Sequence, residues 1–120
     1  MKDFEKTLNK VKKFADEEHG NVSVAGEDEN VVTLNFQRHL SIGQDFNFEI
    51  SSYKNEGIYG ILNAIYDYWE NFDCLYEAYW LDDSGHGTDV YNDMKKCEKS
   101  IYQLWENICY DLYRIERRNF

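Results

Sequence analysis

Apolar residues recur at every third or fourth position in three stretches of the chain, and this spacing predicts three amphipathic helices. The first covers residues 3 to 18 and ends near His19-Gly20, and the second covers residues 57 to 71. The third begins at Thr88, a residue type common at helix N-caps, and continues to about residue 115. Its apolar stripe consists of Val90, Met94, Cys97, Ile101, Leu104, Ile108, Leu112 and Ile115. A stripe of about seven turns predicts that this helix lines the core.

Other stretches alternate between apolar and polar residues, which is the pattern of a strand with one buried face. Residues 22 to 25 and 31 to 36 predict two strands, and the acidic turn formers at 26 to 30 predict that they make a hairpin. Residues 46 to 50 predict a third strand. Residues 75 to 82 fit a strand or a helix, and their Tyr and Trp content favours a fourth strand.

These elements predict an α+β fold in which a small, mainly antiparallel sheet of three to four strands packs against the helices. The helices are the N-terminal, the middle and the long C-terminal one. The chain has 120 residues and no Pro, and it shows no low-complexity linker. This is the length of one domain, so a single domain over residues 1 to 120 is expected.

The charge is unevenly distributed. No Lys or Arg occurs between Asn55 and Met94, although that segment carries nine carboxylates and nine aromatic residues, and the net charge of the chain is -10. Disordered acidic tails lack such aromatic content, so we expect a folded anionic surface. Such a surface favours a basic protein partner and disfavours direct binding to nucleic acid or to an anionic membrane.

The spacing of these carboxylates suggests nucleic-acid mimicry. Acids three or four positions apart on a helix stand about 5 to 6 Å from each other, comparable to neighbouring phosphates along one strand. The alternative is an ordinary solvated face. The carboxylates expected to bind a partner are Asp67, Glu70, Asp73, Glu77, Asp82, Asp83, Asp89 and Asp93. Exposed aromatic anchors are expected at Tyr66, Tyr76 and Tyr79.

Two sequence runs support this interpretation by resemblance. They are Tyr68-Trp69-Glu70-Asn71-Phe72-Asp73 and Tyr79-Trp80-Leu81-Asp82-Asp83-Ser84-Gly85-His86-Gly87. A small acidic chain with these runs resembles phage and plasmid proteins of low-GC bacteria, and it is similar in character to anti-CRISPR and anti-restriction inhibitors. The resemblance implies a non-enzymatic protein without a cofactor that acts in the host bacterial cytosol. Its partner would be the basic nucleic-acid channel of a defence nuclease such as a CRISPR effector.

An enzyme is the less favoured alternative. Asp82, Asp83, His86 and Asp89 lie close together in sequence, as a small hydrolase with a divalent metal would require. The same residues also suit a turn followed by a helix N-terminus, where carboxylates are favourable. The three cysteines and three histidines show no zinc-ligand spacing, so a structural zinc site is not expected. The turn interpretation is preferred for the loop, so neither a bound metal nor catalysis is expected there.

Self-association is the other alternative. Arg114, Arg117 and Arg118 form a basic cluster in an acidic chain and could meet the acidic face of a second copy. That reading predicts a homodimer through the C-terminal helix. No run of apolar residues is long enough to span a bilayer, so a cytoplasmic location is expected.

Overall fold

The computed structural model describes residues 2–41, 43–81 and 88–118, and of residues 2, 3, 88 and 116–118 it describes the backbone alone. The chain folds as an antiparallel sheet with helices on one face, which confirms the α+β prediction. A short 3-10 turn, Lys54–Glu56, leads into the second helix. In chain order the elements are α1 (Lys2–Glu17), β1 (Gly20–Glu27), β2 (Val31–His39), β3 (Asp45–Tyr53), α2 (Gly57–Glu70), α3 (Cys74–Leu81) and α4 (Thr88–Arg118).

The sheet has the order β1-β2-β3, and both neighbouring pairs are antiparallel. The predicted hairpin is confirmed. The Asp28 carboxylate accepts hydrogen bonds from the backbone N–H groups of Asn30 (2.7 Å) and Val31 (2.8 Å), which closes the hairpin loop. These backbone bonds lower the pKa of Asp28, because they stabilise the ionised carboxylate. Asp28 therefore stabilises the hairpin loop.

Alternation along the strands gives the sheet one apolar and one polar face. On the polar face, the hydroxyls of Thr33 and Ser51 lie 2.7 Å apart on adjacent strands. The apolar face is buried beneath the helices and carries Val22, Val32, Leu34, Phe36, Phe46 and Ile50.

The helices α1, α2 and α4 share one core cluster with the sheet. α1 contacts β1, and α2 contacts β3. α2 lies so close to the sheet at Gly60 that an added Cβ would overlap the Ser52 hydroxyl and lie 2.7 Å from Glu56 Cβ, so a side chain there would force its neighbours to shift. Lys10 Nζ lies 3.0 Å from Asp111 Oδ2 and joins α1 to α4. Ring contacts join α2 to α4 at Tyr66, Trp69, Tyr102 and Trp105.

A second core cluster lies around the N-terminal half of α4. It packs Cys74 and Ala78 of α3 against α4 and against the end of the sheet. The other buried members are Leu40, Phe46, Val90, Met94 and Cys97. α4 therefore contributes to both clusters.

The predicted fourth strand is wrong, because residues 74 to 81 form α3. Asp73 Oδ1 accepts hydrogen bonds from the N–H groups of Leu75 (3.0 Å) and Tyr76 (3.2 Å), which caps the helix N-terminus. Cys74 and Ala78 are four positions apart and are buried together, as a helix requires. The cap and this contact outweigh the β-propensity of Tyr and Trp, which amounts to about 1 kcal/mol at most.

Two helix ends differ from the predictions. α1 ends at Glu17, slightly before the predicted end near His19-Gly20; His19 takes the left-handed region (φ 62°), and Gly20 already belongs to β1. The α4 stripe is buried from Val90 to Ile108, which confirms its predicted role, but Ile115 is 42% exposed. The stripe therefore continues about one turn beyond the core.

Replacement of Ile65 and Ile115 by Ala tests this packing. Ile65 is fully buried. We expect Ile65→Ala to lower the free energy of unfolding by about 2–5 kcal/mol, since it leaves a cavity, and Ile115→Ala by less than about 1 kcal/mol. Urea denaturation measures both. Equal losses would contradict the described end of the core.

Candidate functional site

Helix α3 exposes four large apolar side chains, although it has only eight residues. They are Leu75, Tyr76, Tyr79 and Trp80, each between 60% and 76% exposed. At 100° per residue these positions fall within an arc of about 140°, opposite Cys74 and Ala78. We call these four side chains the α3 surface.

The composition of the α3 surface departs from that of an ordinary surface helix, which presents polar residues to solvent. Here the outward arc is as apolar as the inward one. The Trp80 ring makes edge contacts with Tyr79 (centroids 5.6 Å apart) and Tyr76 (6.2 Å), so the three rings support one another. A contiguous exposed apolar patch of this kind is typical of a protein-binding surface.

Several predicted carboxylates border this surface. Glu70 and Asp73 line a shallow groove together with Leu75, where the turn after α2 meets α4. Glu77 lies on α3 and is half-buried, and burial, followed by repulsion from Asp73, raises its pKa. Asp67 is exposed one turn earlier on α2. Negative charge therefore lies beside the Leu75 end of the α3 surface.

The segment from Asn55 to Met94 contains no Lys or Arg, but in the folded chain a lysine lies next to its carboxylates. α4 brings Lys95 into the groove that Glu70 and Asp73 line, and Glu98 lies there too. A hydrogen bond to Tyr91 raises the pKa of Lys95, whose Nζ lies 5.6 Å from the centroid of that ring. The groove is acidic on balance, but it is not purely anionic.

Asp93 does not belong to the surface, which corrects its assignment as a partner-binding residue. It is 4% exposed, and Ser41 Oγ lies 2.8 Å from each of its carboxylate oxygens. The residue attaches the turn between β2 and β3 to α4. Asp89, four positions earlier on α4, is exposed, so these two carboxylates do not form a row on the surface.

Two of the three predicted aromatic anchors are exposed, and one is not. Tyr76 and Tyr79 are exposed, as predicted, whereas Tyr66 is half-buried between α2 and α4. Its ring centroid lies 5.0 Å from that of Trp105 and 5.5 Å from that of Trp69. Leu75 and Trp80 are also exposed, but they were not predicted as anchors. The three-to-four spacing of Cys74, Ala78 and Leu81 indicates the inward side of a helix and would have placed Leu75 and Trp80 on its outer side.

The alternatives depend on residues that the structure describes in part. Asp82, Asp83 and His86 lie outside the described residues, and Asp89 is exposed in the first turn of α4. Within the described ranges, no three His, Cys, Asp or Glu side chains are grouped as a metal site. Arg114 contacts Asp111 at 3.5 Å, while the side chains of Arg117 and Arg118 are outside the description. Both alternatives stay predictions.

The cysteines in the part of the chain that the structure describes have the chemistry of core residues. All three are unpaired thiols, and Cys74 and Cys97 are buried. Burial raises the pKa of Cys97 to about 11, and burial followed by repulsion from Glu98 raises that of Cys74. At neutral pH both are protonated, and protonated thiols are weak nucleophiles.

The buried position of Asp93 predicts a stability effect. We expect Asp93→Ala to lower the free energy of unfolding by about 1–3 kcal/mol, since the Ser41 hydroxyl loses its acceptor. Asp67→Ala, at an exposed acid, should change it by no more than about 0.5 kcal/mol. A double-mutant cycle with Ser41→Ala measures the coupling directly. Additive effects would contradict the Ser41–Asp93 contact.

Comparisons with protein-family models, with curated proteins and with solved structures found no match for this chain. None of the helices in the described ranges is long and apolar enough to cross a membrane. The arrangement of the α3 surface and its bordering acids is thus the basis for a functional proposal.

Proposed function

We propose that this protein acts by binding another protein through the α3 surface. The observation that carries the proposal is the exposed apolar arc of Leu75, Tyr76, Tyr79 and Trp80. Tyr and Trp are enriched among the residues that dominate interface energies, because they bury a large area with few rotatable bonds. The partner would offer an apolar groove that accepts these rings.

The α3 surface alone is smaller than a standard protein–protein interface. Four side chains exposed by more than half present on the order of 400 Å². That is about half of the 800 Å² that one partner contributes to a standard interface. The remaining contacts would come from the bordering residues Glu70, Asp73 and Glu77.

Those bordering residues specify the charge of the partner. Carboxylates beside an apolar arc pair favourably with Lys or Arg at the rim of the groove that receives it. The net charge of -10 would also attract a basic partner from a distance and speed association at low salt. The partner is therefore a protein with a basic surface around an apolar groove.

In its specific form, the proposal makes the protein a non-enzymatic inhibitor of a bacterial defence nuclease, acting in the host cytosol. The acidic composition and the resemblance to anti-CRISPR and anti-restriction inhibitors support this form. Such nucleases hold nucleic acid in positively charged channels, so an acidic protein that docks there would block substrate entry.

Aromatic substitutions test the docking surface. Against a panel of purified CRISPR effectors and restriction nucleases, we expect one complex whose Kd rises about 30-fold with Tyr79→Ala or Trp80→Ala. Tyr110→Ala is the matched control, because Tyr110 is 67% exposed on α4, away from α3. Binding by calorimetry and nuclease activity should change together. If Tyr110→Ala were equally damaging, the α3 surface would not be the interface.

A charge-neutral variant tests the bordering acids. Glu70→Gln, Asp73→Asn and Glu77→Gln remove three charges, and Asn at position 73 keeps the helix cap. We expect slower association and a weaker salt dependence, with little change in stability.

Two outcomes would contradict the proposal at different levels. Association rates that stay unchanged in the neutral variant would show that the charges have no role in docking. Failure of the whole panel to bind at low salt would overturn the nuclease-inhibitor form.

A further inference from the structure

A small apolar cavity of about 40 Å³ lies where the two core clusters meet. It lies between the α1–β1 turn, the end of β2 and the middle of α4, and no α3 residue is in its lining. Phe36, Phe48 and Leu104 are among its apolar walls. The polar residues of its lining are Glu18, Asn21, Arg38 and Ser100, and all four are less buried than Phe36 and Leu104. The cavity therefore has an apolar interior and a polar rim.

The volume limits the ligand. One water molecule needs about 10–15 Å³ of cavity volume. A cavity of about 40 Å³ therefore holds roughly three or four non-hydrogen atoms. Aromatic rings are too large. A short aliphatic group such as isopropyl or isobutyl fits, and an apolar wall favours it over water.

The charges at the rim are not paired with each other. Arg38 Nη1 donates one long hydrogen bond, 3.4 Å, to the Lys96 carbonyl. Among the described residues, no carboxylate lies within 4 Å of the Arg38 guanidinium, and no cation lies within 4 Å of the Glu18 carboxylate. A guanidinium and a carboxylate thus line one cavity, and each is open to an opposite charge.

We propose that this cavity binds a free α-amino acid with a short branched apolar side chain, of the valine or leucine type. The side chain occupies the cavity, the α-carboxylate pairs with Arg38 and the α-ammonium pairs with Glu18. A guanidinium suits a carboxylate because it donates two parallel hydrogen bonds.

The overall charge of the protein favours a zwitterion over a simple anion. A net charge of -10 repels a fatty carboxylate of the same size, whereas an α-amino acid has no net charge. The proposal is independent of the α3 surface, because the two sites share no residue.

Titration of the full chain with L-valine and L-leucine, followed by amide NMR, tests this inference. We expect saturable shifts around Gly20, Arg38 and Ser100, with a Kd on the order of 1 mM. Isovalerate lacks the amine, isobutylamine lacks the carboxylate and glycine lacks the side chain. Each should bind about tenfold more weakly or not at all.

Variants locate the site. Arg38→Gln and Glu18→Gln should each weaken valine binding about tenfold while the remaining spectrum stays folded. Ala15→Val narrows the cavity and should weaken leucine more than valine. Arg114→Gln is the matched control, because Arg114 lies outside the cavity lining. No saturable shift with either amino acid, or equal binding of glycine, would overturn the proposal. So would an Arg38→Gln variant that binds as the native protein does.

Discussion

The apolar stripe of α4 is the contact on which the rest of the structure depends. Ile101, Leu104 and Ile108 are buried against α1, α2 and the sheet. Val90, Met94 and Cys97, nearer the N-terminus of the helix, are buried in the cluster that contains α3. One helix thus joins two core clusters. Because α3 packs chiefly on α4, it has only one covered face, and its opposite face is open to solvent.

The helical state of α3 depends on this support. Isolated helices of eight residues are unstable in water, so its stability comes from the Asp73 cap and from the burial of Cys74 and Ala78. The four large apolar side chains on the open face contribute little to that burial, because each is at least 60% exposed. Exposed apolar side chains do little for stability, and they are usual at functional sites. The packing of α3 on α4 thus holds these side chains in position for the proposed binding function.

Sequence periodicity predicted the elements that have a long apolar pattern. Three-to-four spacing predicted α1, α2 and α4, and alternating spacing predicted the hairpin. A long pattern remains recognisable even where single positions deviate from it. α3 is too short for such averaging, and its Tyr and Trp content favoured a strand. The acidic surface was predicted in part, because a one-dimensional charge count cannot show that α4 brings Lys95 beside Glu70. Nor could it show that Asp93 turns inward to Ser41 or that Tyr66 meets Trp105.

The proposed binding function requires the α3 surface to be exposed in the free protein, and Trp80 reports on that exposure directly. Trp69→Phe and Trp105→Phe leave Trp80 as the one tryptophan of the chain. Its fluorescence should resemble that of tryptophan in water, be readily quenched by acrylamide, and stay constant as protein concentration rises. A blue-shifted, protected Trp80 at every concentration would show that another part of the chain covers the surface. Protection that grows with concentration would show that a second copy covers it, and either result would contradict the exposure of the α3 surface in the free protein.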